Sequence, residues 1–389
     1  MPKQRRTTLC PEGGYYLLML VALFGVVLWG EFNLLLLLTG PLVIGWRWVV
    51  VSMTGLEPRR RIPRAISAGD LLVVNVDLTN TRRRMGSWAV VGEDQIRRVD
   101  ESGRRRTIRP MVYFPHVAAG GCRRQVYRGR LPRRGRYLVG PMKLSTRFPF
   151  GLLRRTVTDP ATDTLTVYPR LGRLTQAWKA RRHRTFEGSR RVQQQPSRIA
   201  GDFFGVREWQ TGDSLRWIHW RSSARHGDLV VRQFEPQKSD DLAVLVDLWQ
   251  PDRPDTEDLQ NVELAVSFAA TVVADACRKG GGHLLVGIGG EEPEWIEGPV
   301  SVGLLEGTME KLAVARACRE DRLPQLLEWI AGRMDSRTEV VLVGTRGVDL
   351  DDPGRFPVPG DDRARRALVG RIRRIDTSSE ELSRYFLPQ

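Results

Sequence analysis

Hydrophobic periodicity changes along this chain, and the change constrains the fold more than any single motif does. From Asp70 to Arg147 apolar residues recur at every second position in short runs (LLVVNVDLTNT, SWAVVGEDQI, TIRPMVYFPHV, CRRQVYRGRL, GRYLVGPMKLSTR), broken by Gly, Pro and Asn. Alternation of this kind buries one face of each strand and predicts a β-sandwich-like domain. In the first run Val74, Val76 and Leu78 face inward, leaving Asn75, Asp77 and Thr79 outward. After Asp241 the runs LAVLVDL, HLLVGIG and TEVVLVG are apolar throughout, with GRIRRID as a late strand and helical periodicity over residues 257–279, 303–318 and 323–334. Fully apolar strands alternating with helices predict a doubly wound α/β domain, whose ligands sit at the carboxyl ends of the strands.

The N-terminus follows neither pattern. Residues 15–30 and 34–53 are apolar apart from Arg47 and are joined by Glu31-Phe32-Asn33, which predicts a two-helix membrane hairpin. A cleaved signal peptide is the competing reading, but no small-residue cleavage site follows the first stretch. Lys3, Arg5 and Arg6 precede the hairpin and Arg59, Arg60, Arg61 and Arg64 follow it, so the positive-inside rule predicts a multi-pass protein with most of the chain on the cytoplasmic face. Trp29, Trp46 and Trp48 would either lie near the interfaces of the bilayer, the first expected partner, or pack between the two helices. The expected domains are a hairpin over 1–55, a β-sandwich-like domain over 56–170, a distinctive segment over 171–240 and the α/β domain over 241–389.

The net charge of +16 on 389 residues is unevenly spread. Residues 1–55 have a net charge of +2; residues 56–239 hold 39 basic and 15 acidic groups, net +24; residues 240–389 hold 18 and 28, net −10. Arginines cluster at run ends (82–84, 104–106, 133–136), where loops belong, with no interleaved aromatics and no recognition helix. That pattern fits a solvated or membrane-facing surface better than a nucleic-acid footprint, the rival reading. The four cysteines, Cys10, Cys122, Cys277 and Cys318, are far apart, which argues against both a disulfide framework and a zinc site.

Residues 201–235, GDFFGVREWQTGDSLRWIHWRSSARHGDLVVRQFE, stand out. Thr211-Gly212 is a turn signal, Asp213 a good N-cap, and SLRWIHW one or two helical turns with Leu215, Ile218 and Trp217 or Trp220 inward. Glu208, Asp213 and Asp228 alternate with Arg207, Arg216, Arg221, Arg225 and Arg232, as in a partly buried Arg–carboxylate network. His219, Ser222, Ser223 and His226 have no spacing that activates a nucleophile. His219 is expected beside the tryptophans and His226 in a loop.

This stretch resembles the signature of the DUF58 family. Arg207-Glu208-Trp209, Gly212-Asp213, Arg216 and Trp220-x-x-Ser223-Ala224-Arg225 match its elements in order, and Arg134-Gly135-Arg136-Tyr137 and Phe148-Pro149-Phe150-Gly151 resemble two upstream ones. Phe148 stands where the family has Asp. The resemblance implies a bacterial inner-membrane protein with a von Willebrand factor A-like C-terminal domain and a MoxR-type AAA+ ATPase as partner. Arg207, Glu208, Gly212, Asp213, Arg216, Trp220, Ser223 and Arg225 would then dock that partner or stabilise the fold.

A-type domains hold a divalent cation on an Asp-x-Ser-x-Ser loop, a distant Thr and a Thr-Asp-Gly turn. Here the first strand ends Asp247-Leu248-Trp249-Gln250-Pro251, with Trp249 and Pro251 in the serine places, and the later turn is Thr345-Arg346-Gly347. Too few oxygens remain for a hard cation. No metal or other cofactor is expected, and Arg346 is expected either to pair with Asp247 or to face solvent. The expected function is a membrane-anchored, non-enzymatic adaptor or scaffold in assembly or maturation of other membrane or envelope proteins. An envelope enzyme of unknown reaction and a nucleic-acid binder are the alternatives; the sequence lacks a P-loop, a GxSxG elbow and metal-ligand spacing.

Overall fold

The computed structural model describes residues 4–27, 32–99, 107–178, 180, 203–210, 213, 215–234, 241–333, 338–350 and 369–388. The chain divides into two units, Met1–Arg170 and Leu171–Gln389.

The N-terminal unit begins with β1 (Gln4–Leu9), α1 (Pro11–Val27) and α2 (Phe32–Ser52). It continues with β2 (Leu56–Arg61), β3 (Ala65–Ser67), β4 (Leu71–Asn80), β5 (Ser87–Glu93), β6 (Ile96–Arg98), β7 (Thr107–Ile108) and β8 (Met111–Val117). β9 (Cys122–Arg130), β10 (Gly135–Val139), β11 (Met142–Thr146), β12 (Leu153–Asp159) and β13 (Asp163–Tyr168) complete it. Among the described residues its strands form three sheets, in the orders β1-β12-β11-β5-β8, β3-β13-β10-β6-β7 and β2-β4-β9. Their inward side chains, among them Leu72, Val74, Val76, Phe114, Leu144 and Leu165, make one core. A buried polar staple crosses it. Arg60 on β2 pairs with Asp94 at 2.9 Å and with Asp163 at 3.2 Å, and the Tyr127 hydroxyl on β9 donates to Asp94 at 2.9 Å. Burial, then the Asp94 charge, push the Tyr127 phenol well above its ordinary pKa.

The expected membrane hairpin is corrected, and with it the transmembrane segments and the multi-pass localisation. Among the described residues no helix is long and apolar enough to cross a membrane. α1 has 17 residues, about 26 Å at 1.5 Å per residue, against a hydrocarbon core of about 30 Å. α2 has 21 residues but contains Pro41 and Arg47. Both helices are built into a β-rich unit. Arg5 and Arg6, read from sequence as a flank of the hairpin, lie in β1, which pairs antiparallel with β12 from Gln4↔Thr158 to Leu9↔Leu153. Val49 and Ser52, in the last turns of α2, are buried in the protein. Trp29 lies outside the described residues, while Trp46 and Trp48 are exposed.

Arg82, in the loop after β4, fixes the end of α2. Its guanidinium donates to the Val51 and Ser52 carbonyls of that helix, to Gly86 O and to Ser87 Oγ, while its Nε donates to Asn80 Oδ1. Ser87 Oγ in turn donates to Ser52 O at 2.7 Å. Helix C-terminal carbonyls have no partner within the helix, and a guanidinium fork satisfies several at once.

In the C-terminal unit, β14 (Arg173–Leu174) precedes β15 (Phe203–Glu208), a 3-10 turn (Leu215–Trp217), α3 (Trp220–His226) and β16 (Val230–Phe234). Next come β17 (Leu242–Asp247), α4 (Thr256–Lys279), β18 (His283–Gly289), β19 (Glu294–Pro299), α5 (Val302–Val314) and α6 (Leu323–Ala331). β20 (Glu339–Gly344), β21 (Ile372–Asp376), α7 (Glu381–Tyr385) and β22 (Phe386–Leu387) end it. The main sheet has the order β19-β18-β17-β20-β21, parallel except for the edge strand β19. All six residues of β17 are buried, as expected of a central strand covered on both faces. α4 starts in a capping box between Asp255 and Asp258 and packs along the sheet through Ala265, Phe268, Ala269 and Val272. Segment 171–178 is tied to the other end of the unit: β14 pairs with β22, and the Arg373 guanidinium stacks 3.7 Å over buried Trp178.

Arg82→Ala is expected to cost about 2–3 kcal/mol, because buried carbonyls lose a charged donor. Arg82→Lys should recover only part of it, since one ammonium cannot span the same acceptors. Urea unfolding of the full chain measures both.

Candidate functional site

The distinctive segment folds as a hairpin carrying a short helix. β15 and β16 pair antiparallel with Val206↔Arg232, Arg207↔Val231 and Glu208↔Val230 in register. Ile218 bridges Val231, and both are buried. Arg207 grips Asp213 through two bonds, Nη1 to Oδ2 at 2.7 Å and Nη2 to Oδ1 at 2.6 Å. The Gln210 amide donates to the same carboxylate at 2.9 Å, and Trp209 Nε1 donates to Asp213 O at 3.3 Å. Asp213 therefore closes the turn after β15. The Arg207 guanidinium, then the Gln210 amide, hold its carboxyl below the usual carboxylate range. Gly212 lies outside the described residues.

Asp213, expected to cap the turns of SLRWIHW, precedes a 3-10 turn at Leu215–Trp217 and bonds back to Arg207 and Gln210; the separate helix α3 is capped by His219, whose Nδ1 accepts from the Ser222 amide at 3.2 Å. Nothing in the sequence marked this, because an imidazole is an unusual cap. Ser223, buried, accepts from the Val230 amide at 2.9 Å and donates to His219 O at 3.2 Å, so its hydroxyl ties α3 to β16. Gly227 ends the helix at φ 84°, a left-handed conformation that glycine adopts without strain. His226 is the last residue of α3, not a loop residue.

Two further expectations are corrected here. Leu215, expected inward, is 67% exposed; of the two tryptophans either of which was expected inward, Trp220 is 67% exposed and Trp217 half-buried, while Ile218 is buried. The expected Arg–carboxylate network contracts to the Arg207–Asp213 pair: among the described residues Arg216, Arg221 and Arg225 are exposed and have no ion-pair partner. Glu208 is exposed as well.

The second place where functional residues converge is the carboxyl end of the main sheet. The chain runs from β17 outward through β18 to β19, then returns to the other side of β17 for β20 and β21. The order thus reverses between β17 and β20, where open α/β sheets form a crevice. Asp247 ends β17 with its side chain 1% exposed, level with Gly289 and Gly344 on the flanking strands. Arg346, two residues beyond β20, sets Nη2 3.6 Å from Asp247 Oδ2 and 2.6 Å from Asp321 Oδ1. Its guanidinium lies 4.6 Å from the centre of the Trp249 ring. Thr345 Oγ1 donates to Trp249 O at 2.5 Å. Trp249 Nε1 donates to Arg319 O at 3.0 Å, and the Gln250 amide to Cys318 O at 2.8 Å. Pro251 follows, half-buried. Burial pushes the Cys318 thiol up, away from the reactive thiolate.

This end of the sheet fits a metal poorly. Trp249 and Pro251 offer no side-chain oxygen, the Thr345 hydroxyl is spent on a carbonyl, and a guanidinium lies against the two carboxylates. Among the described residues no group of three or more His, Cys, Asp or Glu is placed to hold an ion. Sequence reasoning missed Asp321. The signal was present in Glu320-Asp321-Arg322-Leu323-Pro324, an acidic residue just ahead of a helix with proline in its first turn, and Asp321 Oδ1 does accept from the Leu323 amide at 3.3 Å.

Residues 205–301 match the family described as "Protein of unknown function DUF58". The matched stretch begins in β15 and ends at Ser301, the N-cap of α5; it includes Asp247 and Trp249 but not Arg346. The chain is also similar to a Bacillus subtilis (strain 168) protein described as "Uncharacterized protein YeaD", with 30% identity over 164 residues. That match covers 42% of this chain and 38% of the relative's length. Among solved structures, similarity is found to the CARDB domain of a Pyrococcus furiosus protein, 11% identical, over 29% of this chain and 94% of that one, with TM-score 0.20. The Listeria innocua beta-glucosidase is 14% identical over 29% of this chain and 16% of that one, with TM-score 0.21. The Pseudomonas fluorescens alkylpurine DNA glycosylase AlkC is 12% identical over 33% and 36%, with TM-score 0.22. Likenesses this slight carry no argument about fold or function.

Because the Asp213 pKa is lowered in the folded hairpin, the stability this carboxylate contributes is complete above the range where an unfolded carboxyl titrates, about pH 4–5, and is lost as pH falls through the lowered folded value. Asp213→Asn should remove that acid dependence. Protection of the Gln210 amide and along Val206–Glu208 against hydrogen exchange, taken relative to the intrinsic rate at each pH from pH 7 down to pH 3, is expected to fall in wild type only at the acid end and to be low throughout in the variant.

Proposed function

We propose that this chain is a non-enzymatic adaptor that works with a MoxR-type AAA+ ATPase in the assembly or maturation of other proteins, docking its partner on the hairpin and helix of the DUF58 stretch. One observation carries the reading: Leu215 and Trp220 stand out into solvent beside Arg216, Arg221 and Arg225, on a scaffold held rigid by Arg207–Asp213 and Ser223. Exposed tryptophan among arginines is the composition of interface anchors, and large apolar groups on a fixed scaffold lose little entropy on binding. The main sheet supports the A-type part of the reading through its order β19-β18-β17-β20-β21 and its antiparallel edge strand. Its strand-end residues favour a degenerate version of such a domain, because Trp249, Pro251 and Arg346 stand where oxygen ligands would be needed.

The test is affinity purification of the full chain from cells, with mass spectrometry of what accompanies it. An AAA+ ATPase is expected with wild type, and Trp220→Ala or Arg216→Ala should reduce its recovery by roughly 30-fold, the loss of one interface anchor. Circular dichroism should show both variants folded, since both side chains point into solvent. Unchanged recovery in folded variants would contradict docking at this surface, and substrate turnover by the purified full chain would contradict the adaptor.

A further inference from the structure

The crevice at the reversal of strand order raises a separate question from docking on the hairpin. Asp247 is almost wholly buried there, at the end of a strand buried along its whole length. A carboxylate in such a place survives as an anion only if positive charge reaches it, because desolvation costs several kcal/mol otherwise. A hard divalent ion would need about six oxygens, and the neighbourhood offers two carboxylates and a threonine hydroxyl that is already bonded to a carbonyl. Arg346 meets the need differently. One Nη reaches both Asp247 and Asp321, the flat face lies over Trp249, and Nε is buried with no hydrogen-bond partner among the described residues. A guanidinium is weakly hydrated, is charged at all accessible pH and stacks on indole, so it tolerates this half-apolar place better than an ammonium would.

We propose that Arg346 is the resident cation of this crevice: it neutralises Asp247 and Asp321 where other strand-end sites would recruit a divalent ion, so that this face is complete without metal. Three loops depend on it. The residues after β17 supply the indole, those after β20 the guanidinium, and those before α6 the second carboxylate. The site is thereby locked in one state, and its shape does not respond to the concentration of divalent ions.

Thermal melting of the full chain tests this with Arg346→Ala, Asp247→Asn and the double variant, each in chelator, in millimolar manganese chloride and in millimolar ethylguanidinium. Wild type is expected to melt at one temperature in chelator and in manganese. Arg346→Ala should melt lower by roughly 5–10 °C, because the buried Asp247 loses the guanidinium that faces it. The double variant should regain most of that loss, because the buried charge is gone and the Asp321 carboxylate, 29% exposed, is reached by water. Ethylguanidinium should raise the melting temperature of Arg346→Ala and of neither wild type nor the double variant. The proposal is overturned if Arg346→Ala melts with wild type, if the double variant is as unstable as Arg346→Ala or fails to fold with it, or if manganese stabilises wild type but not Asp247→Asn.

Discussion

A single buried carboxylate sets the terms for the functional end of the C-terminal unit. Asp247 closes a strand whose six residues are all buried, and it lies between two glycines on the neighbouring strands, so no side chain at its own level can approach it from within the sheet. Its compensation must come from a loop. Arg346 provides it from beyond β20, and because a guanidinium has several donors and two flat faces, the same group gathers Asp321 and Trp249. Loops that would otherwise be free to rearrange around a ligand are joined to one another by Thr345–Trp249, Trp249–Arg319 and Gln250–Cys318 bonds. The end of the sheet is a finished surface rather than a pocket awaiting an ion.

The same economy runs through the N-terminal unit, and it changes the meaning of the chain's basicity. Arg82 caps α2, Arg60 staples β2 to Asp94 and Asp163, and Arg124 forks onto Asp77, holding that carboxyl below the usual range. Arginine is used here as a connector, which suits its planar fork and low hydration cost. Part of an excess of positive charge that could suggest nucleic acid is therefore committed to internal bonds. Arg216, Arg221 and Arg225 are of a different kind, set beside Trp220 and Leu215 instead of beside carboxylates.

Much of the strand content was legible from sequence. Runs such as Leu71–Asn80 and Leu242–Asp247 carry their pattern in their own side chains: Val74, Val76 and Leu78 are fully inside and all of β17 is buried, although Asp77, expected outward, is buried against Arg124 and Arg61. The N-terminal segment was misread because hydropathy records that a stretch is apolar, not where its helices begin and end. A strand at Gln4–Leu9 pairing with β12, about 150 residues away, is invisible to any local rule, as is Arg82 reaching the last turn of α2. In the hairpin, charge alternation suggested a network, but a bidentate pair needs two side chains aimed at each other, and only Arg207 and Asp213 among the described residues meet that condition. His219 was missed because capping depends on where a helix actually begins, and α3 was not expected to start at Trp220; the start of α6 at Leu323 was expected, but Arg346 reaching Asp321 from 25 residues away is invisible to a local rule.

The central claim is that a guanidinium, rather than an ion, completes the crevice. Its most direct test is hydrogen exchange at the Arg346 guanidinium, observed by nitrogen-15 NMR near neutral pH and assigned by its disappearance in Arg346→Lys. A buried Nε–H is expected to exchange much more slowly than that of a solvent-exposed arginine, and to do so equally in chelator and in magnesium. Exchange at the rate of a free arginine, or protection that changes when magnesium is added, would contradict the account.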